Sequence, residues 1–200
     1  MATGGRPLRP AIPGIDGKNV VYAADVLEGN VRIGKKAVIV GGGATGAEVA
    51  LLLAKKGAMS AEAAVFLASR GGLSPEDAIA FTLRGNKEVT ILEMLARIGE
   101  DIGRSTRWTV LQSLRLYNVS TITKAKVERI TDEGVFYRQE GQEYFLSADT
   151  VVIAVGTEPE TALKDAIEAI TPECYAIGDC VKPRKAIDAI HEAYAVARKI

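Results

Sequence analysis

Short, continuously apolar runs separated by segments of helical spacing dominate this chain. Lys36-Ala37-Val38-Ile39-Val40, Glu88-Val89-Thr90-Ile91-Leu92 and residues 150–155 lack the alternation of a half-exposed strand. They predict parallel strands covered on both faces. Helical spacing over 48–56, stopped by Gly57, and over 105–117, 160–169 and from Lys185 onward predicts helices. Shorter strands are expected at 119–123 and 174–177. Three more, near 126–130, 134–138 and 143–146, have turn signals at Asp132-Glu133-Gly134 and Glu140-Gly141 and form an antiparallel meander. The first 30 residues, with Pro7, Pro10, Pro13, Gly14 and Gly17, read as an irregular surface connector. The order predicts an α/β fold: a Rossmann-like, doubly wound parallel sheet with the antiparallel β-meander as its crossover.

Residues 58–86 exceed what a minimal strand-helix-strand unit needs. Ser60 before 61–70 and Gly71 reads as a capped helix, and Ser74-Pro75-Glu76-Asp77 starts a second one leading to Leu83 and Gly85. This predicts a two-helix insertion. Its apolar residues, among them Val65, Phe66, Ile79 and Phe81, are expected to be buried against the parent domain or a partner.

Composition narrows the function classes. With 25 basic and 25 acidic residues, the chain has no net field to gather nucleic acid or anionic lipid. Its apolar runs are too short to span a bilayer. Cys174 and Cys180 form no CxxC pair, and the start has no signal-peptide pattern, so a cytoplasmic location is expected and no metal site.

The chemistry concentrates after the first apolar strand. In Gly41-Gly42-Gly43-Ala44-Thr45-Gly46, Gly41 suits the tight turn, Gly43 a close backbone approach to a pyrophosphate, and Gly46 close packing of helix on strand. Exposed amides at the helix start would hold the phosphates. Glu93 lies 47 positions after Gly46, and discounting the 29 residues of 58–86 leaves 18. That is close to the usual spacing for an acid that accepts from a ribose diol and repels a 2′-phosphate, favouring NAD(H) over NADP(H). Arg97, one turn on, leaves some room for a phosphate. Both features have plainer readings, an unliganded turn and a solvated strand end.

Ala2-Thr3-Gly4 with Pro13-Gly14, Val40 to Gly46 with Glu48, and Tyr175-Ala176-Ile177-Gly178-Asp179 occur in an order that resembles FAD-dependent pyridine-nucleotide reductases. The run Ile177-Gly178-Asp179-Cys180-Val181, with Pro183-Arg184 and Ala189-Ile190-His191-Glu192 behind it, is similar to the C-terminal part of multidomain NADH:flavin oxidoreductases. These include 2-enoate reductases, 2,4-dienoyl-CoA reductases and trimethylamine dehydrogenase. The resemblance covers the chain apart from the insertion.

The resemblance implies that residues 1–30 and 158–200 are remnants of an FAD-type domain around an NAD(H)-binding domain at 31–157. Gly178 and Asp179 would approach the flavin nucleotide, while Glu48 and Gly156 would lie near the nicotinamide. The FAD domain's own glycine loop, an upstream flavin barrel and its iron-sulfur cysteines are not in the sequence. The expectation is therefore a piece of a larger reductase, with a shortened relative as the alternative, that binds NADH, passes hydride to FAD, retains no FAD alone, and meets the flavin domain and iron-sulfur barrel in the parent or a partner chain. A free-standing NAD(H) regulatory module and an FAD enzyme completed by a partner remain alternatives. No residue is expected to act as acid or base. His191 and Trp108 read as surface helix residues, Cys180 as a packed one, and Lys182, Arg184 and Lys185 as a solvated helix start.

Overall fold

The computed structural model describes every residue except Pro172 and the side chain of Asp165. The first half contains β1 (Gly5–Pro7), β2 (Val20–Tyr22), α1 (Ala23–Glu28), β3 (Lys36–Val40), α2 (Ala44–Lys55), α3 (Ala61–Ser69), α4 (Pro75–Leu83) and β4 (Glu88–Leu92). The second contains α5 (Arg104–Leu116), β5 (Ser120–Ile122), β6 (Lys126–Thr131), β7 (Gly134–Gln139), β8 (Gln142–Ser147), β9 (Thr150–Ile153), β10 (Thr157–Pro159), α6 (Lys164–Ile170) and α7 (Ala186–Ala197). These elements form two compact units, Met1–Arg9 with Gly156–Ile200, and Pro10–Val155.

The larger unit is built on a five-stranded parallel sheet of order β2-β9-β3-β4-β5. Strand parity sorts its core into two layers. Ala37, Ile39, Val89, Ile91 and Val152 pack with Ala47, Val49, Ala50 and Leu53 of α2 and Leu114 of α5. Val38, Val40, Leu92, Val151 and Ile153 pack on the other face with Val127, Ile130, Val135 and Tyr137 of the meander. Because helices cover one face and the antiparallel β6-β7-β8 sheet the other, β3 and β9 have apolar residues at successive positions. The predicted fold class holds, with the meander bulged between Val127 and Arg129.

Several local expectations change. The first 30 residues are not wholly irregular: Val20-Val21-Tyr22 adds to the sheet edge parallel to β9, and α1 follows directly. A β-prone tripeptide finds its partner 131 positions on, Val20 opposite Val151, which no local signal encodes. Helix α2 starts at Ala44 rather than Glu48, its first turn closed by Ala47 N–H donating to the Gly43 carbonyl.

The insertion forms the two expected helices, and Ser60 and Ser74 cap them by accepting from the Ala63 and Asp77 amides at 3.2 and 3.0 Å. Its large apolar residues are not buried against the rest of this chain. Val65 is 68% exposed, Phe66 59%, Ile79 62% and Phe81 46%, whereas Ala64 and Ala78 are buried. Two short helices that meet through alanines leave their larger side chains outside the contact. The neck is tied by Asn86 N–H donating to the Lys56 carbonyl (2.8 Å) and Met59 N–H to that of Phe81 (2.9 Å).

In the smaller unit, β1 pairs antiparallel with β10, so the strand lies just after Ala2-Thr3-Gly4, and residues 157–159 are a strand rather than only a turn. The strand expected at 174–177 is absent: this stretch is held by the Met1 ammonium donating to the Tyr175 carbonyl and Ile177 N–H donating to that of Met1 (3.0 Å). Two bonds do not make a ladder. No helix among the described residues is long and apolar enough to cross a membrane.

Candidate functional site

Strands β3 and β4 run in register from Lys36 opposite Glu88 to Val40 opposite Leu92. The residues that follow them, Gly41 and Glu93, are thereby brought side by side at the carboxyl edge of the sheet. That edge, with a helix starting from it, is where open α/β sheets present backbone amides to ligands.

The glycine loop turns under tight constraints. Gly41 has φ +107°, and a Cβ there would run into the Ala154 carbonyl of the neighbouring strand connection. A Cβ on Gly46 would run into the Gly41 carbonyl oxygen. Only glycine at both positions lets α2 begin this close to the strand. Among the described residues, no acceptor is bonded to the amides of Gly43, Thr45 or Gly46. Three donors therefore remain at the positive end of α2.

Glu93 is 8% exposed, and its carboxylate is held by two amides. Gly42 N–H donates to Oε2 at 2.5 Å and Leu95 N–H to Oε1 at 2.7 Å. Each oxygen keeps a further acceptor position. The sequence reading placed Glu93 beside the loop but missed that it organises the loop. It missed Asp101 altogether: both carboxylate oxygens lie 3.0 Å from the Ala44 amide nitrogen. Asp101 reaches there because Gly99 N–H donates to the Gly42 carbonyl (2.7 Å), tying the segment after β4 to the loop. Its only sequence signal was an acid ahead of α5. Arg97 pairs with Glu100 at 3.2 Å and is exposed.

Of the other expected site residues, Glu48 is exposed on α2 and Gly156 lies exposed with φ +113° after the end of β9. In the smaller unit, Gly178 and Asp179 line a cavity of about 350 Å³ with Ala2, Gly4, Ile177 and Arg184. A clamp supports them. Gly178 N–H donates to Glu192 Oε2 (2.7 Å), Arg184 pairs with Glu192 Oε1, and Arg184 N–H donates to Asp179 Oδ1 (3.2 Å). The Arg184 guanidinium, then the Gly178 amide, hold the Glu192 carboxyl below the usual carboxylate range, and Glu192 raises the Arg184 pKa in return. His191 and Trp108 are exposed on helices, and Cys180 is buried.

The sequence profile of the pyridine nucleotide-disulphide oxidoreductase family matches residues 1–197. A metal reductase from Desulforamulus reducens is 41% identical over 199 residues, which cover all of this chain and 30% of that protein. An NADH oxidase from Thermoanaerobacter brockii is 32% identical over 206 residues, covering all of this chain and 27% of the oxidase. Among solved structures, a 2-naphthoyl-CoA reductase bound to 2-naphthoyl-CoA superposes with a TM-score of 0.76 at 33% identity, covering all of this chain and 26% of that one. The chain thus spans less than a third of each of these relatives.

Proposed function

Because the chain belongs to the pyridine nucleotide-disulphide oxidoreductase family, matched over nearly its whole length, we propose that Pro10–Val155 binds NADH and orients it for hydride transfer to FAD. The reading is carried above all by the uncommitted amides of Gly43, Thr45 and Gly46 at the start of α2, one strand away from the Glu93 carboxylate. Those amides would hold the pyrophosphate. Glu93, fixed by Gly42 and Leu95, would accept from the adenosine ribose diol with its remaining lone pairs and repel a 2′-phosphate. Glu48, exposed on α2, would border the nicotinamide.

When bound, NADH supplies the hydride and FAD receives it. The residues named here act by orientation, with no proton transfer asked of them. Gly178 and Asp179, held by the Glu192 clamp, would face the FAD nucleotide from the smaller unit. The similarity to a 2-naphthoyl-CoA reductase favours a flavin-linked reduction of an unsaturated or aromatic acyl thioester by the whole protein. The higher identity to a metal reductase favours a second reading, in which the same electrons reach a metal ion.

Calorimetric titration with NADH and NADPH tests the cofactor reading. NADH should bind more tightly, and Glu93→Gln should weaken NADH by about tenfold while changing NADPH less, as expected for losing a hydrogen bond to a charged acceptor. Tighter binding of NADPH by the unmodified chain overturns the role of Glu93.

A further inference from the structure

The two carboxylates beside the glycine loop are not equivalent. Glu93 is buried and held on both oxygens by backbone amides, so it cannot leave without stranding Gly42 N–H and Leu95 N–H. Asp101 is exposed, and both of its oxygens point at one amide, Ala44 N–H, in the first turn of α2. A Cβ added to Gly43 would come within 3.0 Å of Asp101 Oδ2, so the carboxylate also lies over the glycine at which a phosphate would approach most closely. Around it, the Gly43, Thr45 and Gly46 amides remain without acceptors among the described residues.

We infer that Asp101 is an internal competitor for the dinucleotide's pyrophosphate: its carboxylate occupies the anion position at Ala44 in the free protein and must swing out, or be repelled, when NADH binds. The inference rests on the NADH reading of the loop and goes beyond it by naming the residue that limits affinity. A helix start stabilises one anion readily. A pyrophosphate arriving beside that carboxylate meets a like charge at a separation well inside the Debye length, where screening by salt is incomplete. Because Asp101 is exposed, water can take over its hydrogen bonding once it rotates away. Glu93 offers no such exit.

The test uses the full 200-residue chain and calorimetric titration with NADH and, separately, inorganic pyrophosphate. Asp101→Asn keeps the side-chain shape and an oxygen able to accept from Ala44, but removes the charge. It should bind both ligands about three- to tenfold more tightly than the unmodified chain. Asp101→Glu, which keeps the charge, should stay within about twofold of the unmodified chain, a difference well under 1 kcal/mol. Gains with both ligands support the competitor role. NADH affinity that is unchanged or weaker in Asp101→Asn, with the unmodified chain binding NADH normally, overturns the inference while leaving the NADH reading standing. Absence of NADH binding in both proteins overturns both. If Asp101→Asn does not fold, the unmodified chain still decides: the Ala44 amide resonance should move on titration with pyrophosphate as its acceptor is exchanged, and an unmoved resonance at saturating NADH rules the competition out.

Discussion

Two residues show how much rests on single atoms. Gly46 faces the Gly41 carbonyl oxygen so closely that a methyl group cannot fit. Gly46→Ala must push α2 away from the end of β3, at a cost of about 1–3 kcal/mol in stability, measurable by urea denaturation. NADH binding should fall with it. Glu192 makes a prediction of a different kind. Its carboxyl titrates below the ordinary Glu value because Arg184 and the Gly178 amide favour the charged form. The clamp's stabilising contribution is therefore complete above the ordinary Glu value and is lost as the pH falls through the depressed one. Acid titration followed by nuclear magnetic resonance should show the Gly178 amide shifting at a pH below the ordinary Glu midpoint, and Glu192→Gln should abolish that step.

Among the elements, the 58–86 hairpin is the clearest separable part. Its ends meet through the Lys56–Asn86 hydrogen bond, and only Ala64 and Ala78 within α3 and α4 are buried. Replacing it with a short glycine link should leave the sheet and its two faces intact and change the unfolding free energy by about 1 kcal/mol or less. Loss of a cooperative urea transition in that deletion refutes the separability. The same hairpin marks what could and could not be read from sequence. Its helices were legible because Ser60 and Ser74 are local caps, yet the fate of Phe66 and Ile79 was not, since burial depends on what packs opposite. Strands β3 and β4 were legible because covering on two faces writes a continuous apolar run. Strand β2 and the Asp101 contact to Ala44, 57 positions away, were not, because both are made by distant partners.

For the molecule as a whole, the described residues contain one glycine loop that opens a helix with free amides, and it lies in the larger unit. The smaller unit offers Gly178 and Asp179 at a cavity without such a loop. The isolated chain, mixed with excess FAD and desalted, should therefore show no stoichiometric flavin spectrum; a retained stoichiometric flavin contradicts this. The smaller unit also has an unusual schedule of assembly. Its first nine residues pair with partners beyond position 156, β1 with β10 and Met1 with Tyr175 and Ile177. On a translating ribosome these residues emerge roughly 8–30 s before their partners, at typical elongation rates of about 5–20 residues per second. The larger unit is complete by then. Until residues 157–159 are made, Gly5–Pro7 lacks its partner strand, and in that interval its unpaired edge is open to capture by a chaperone or by another chain.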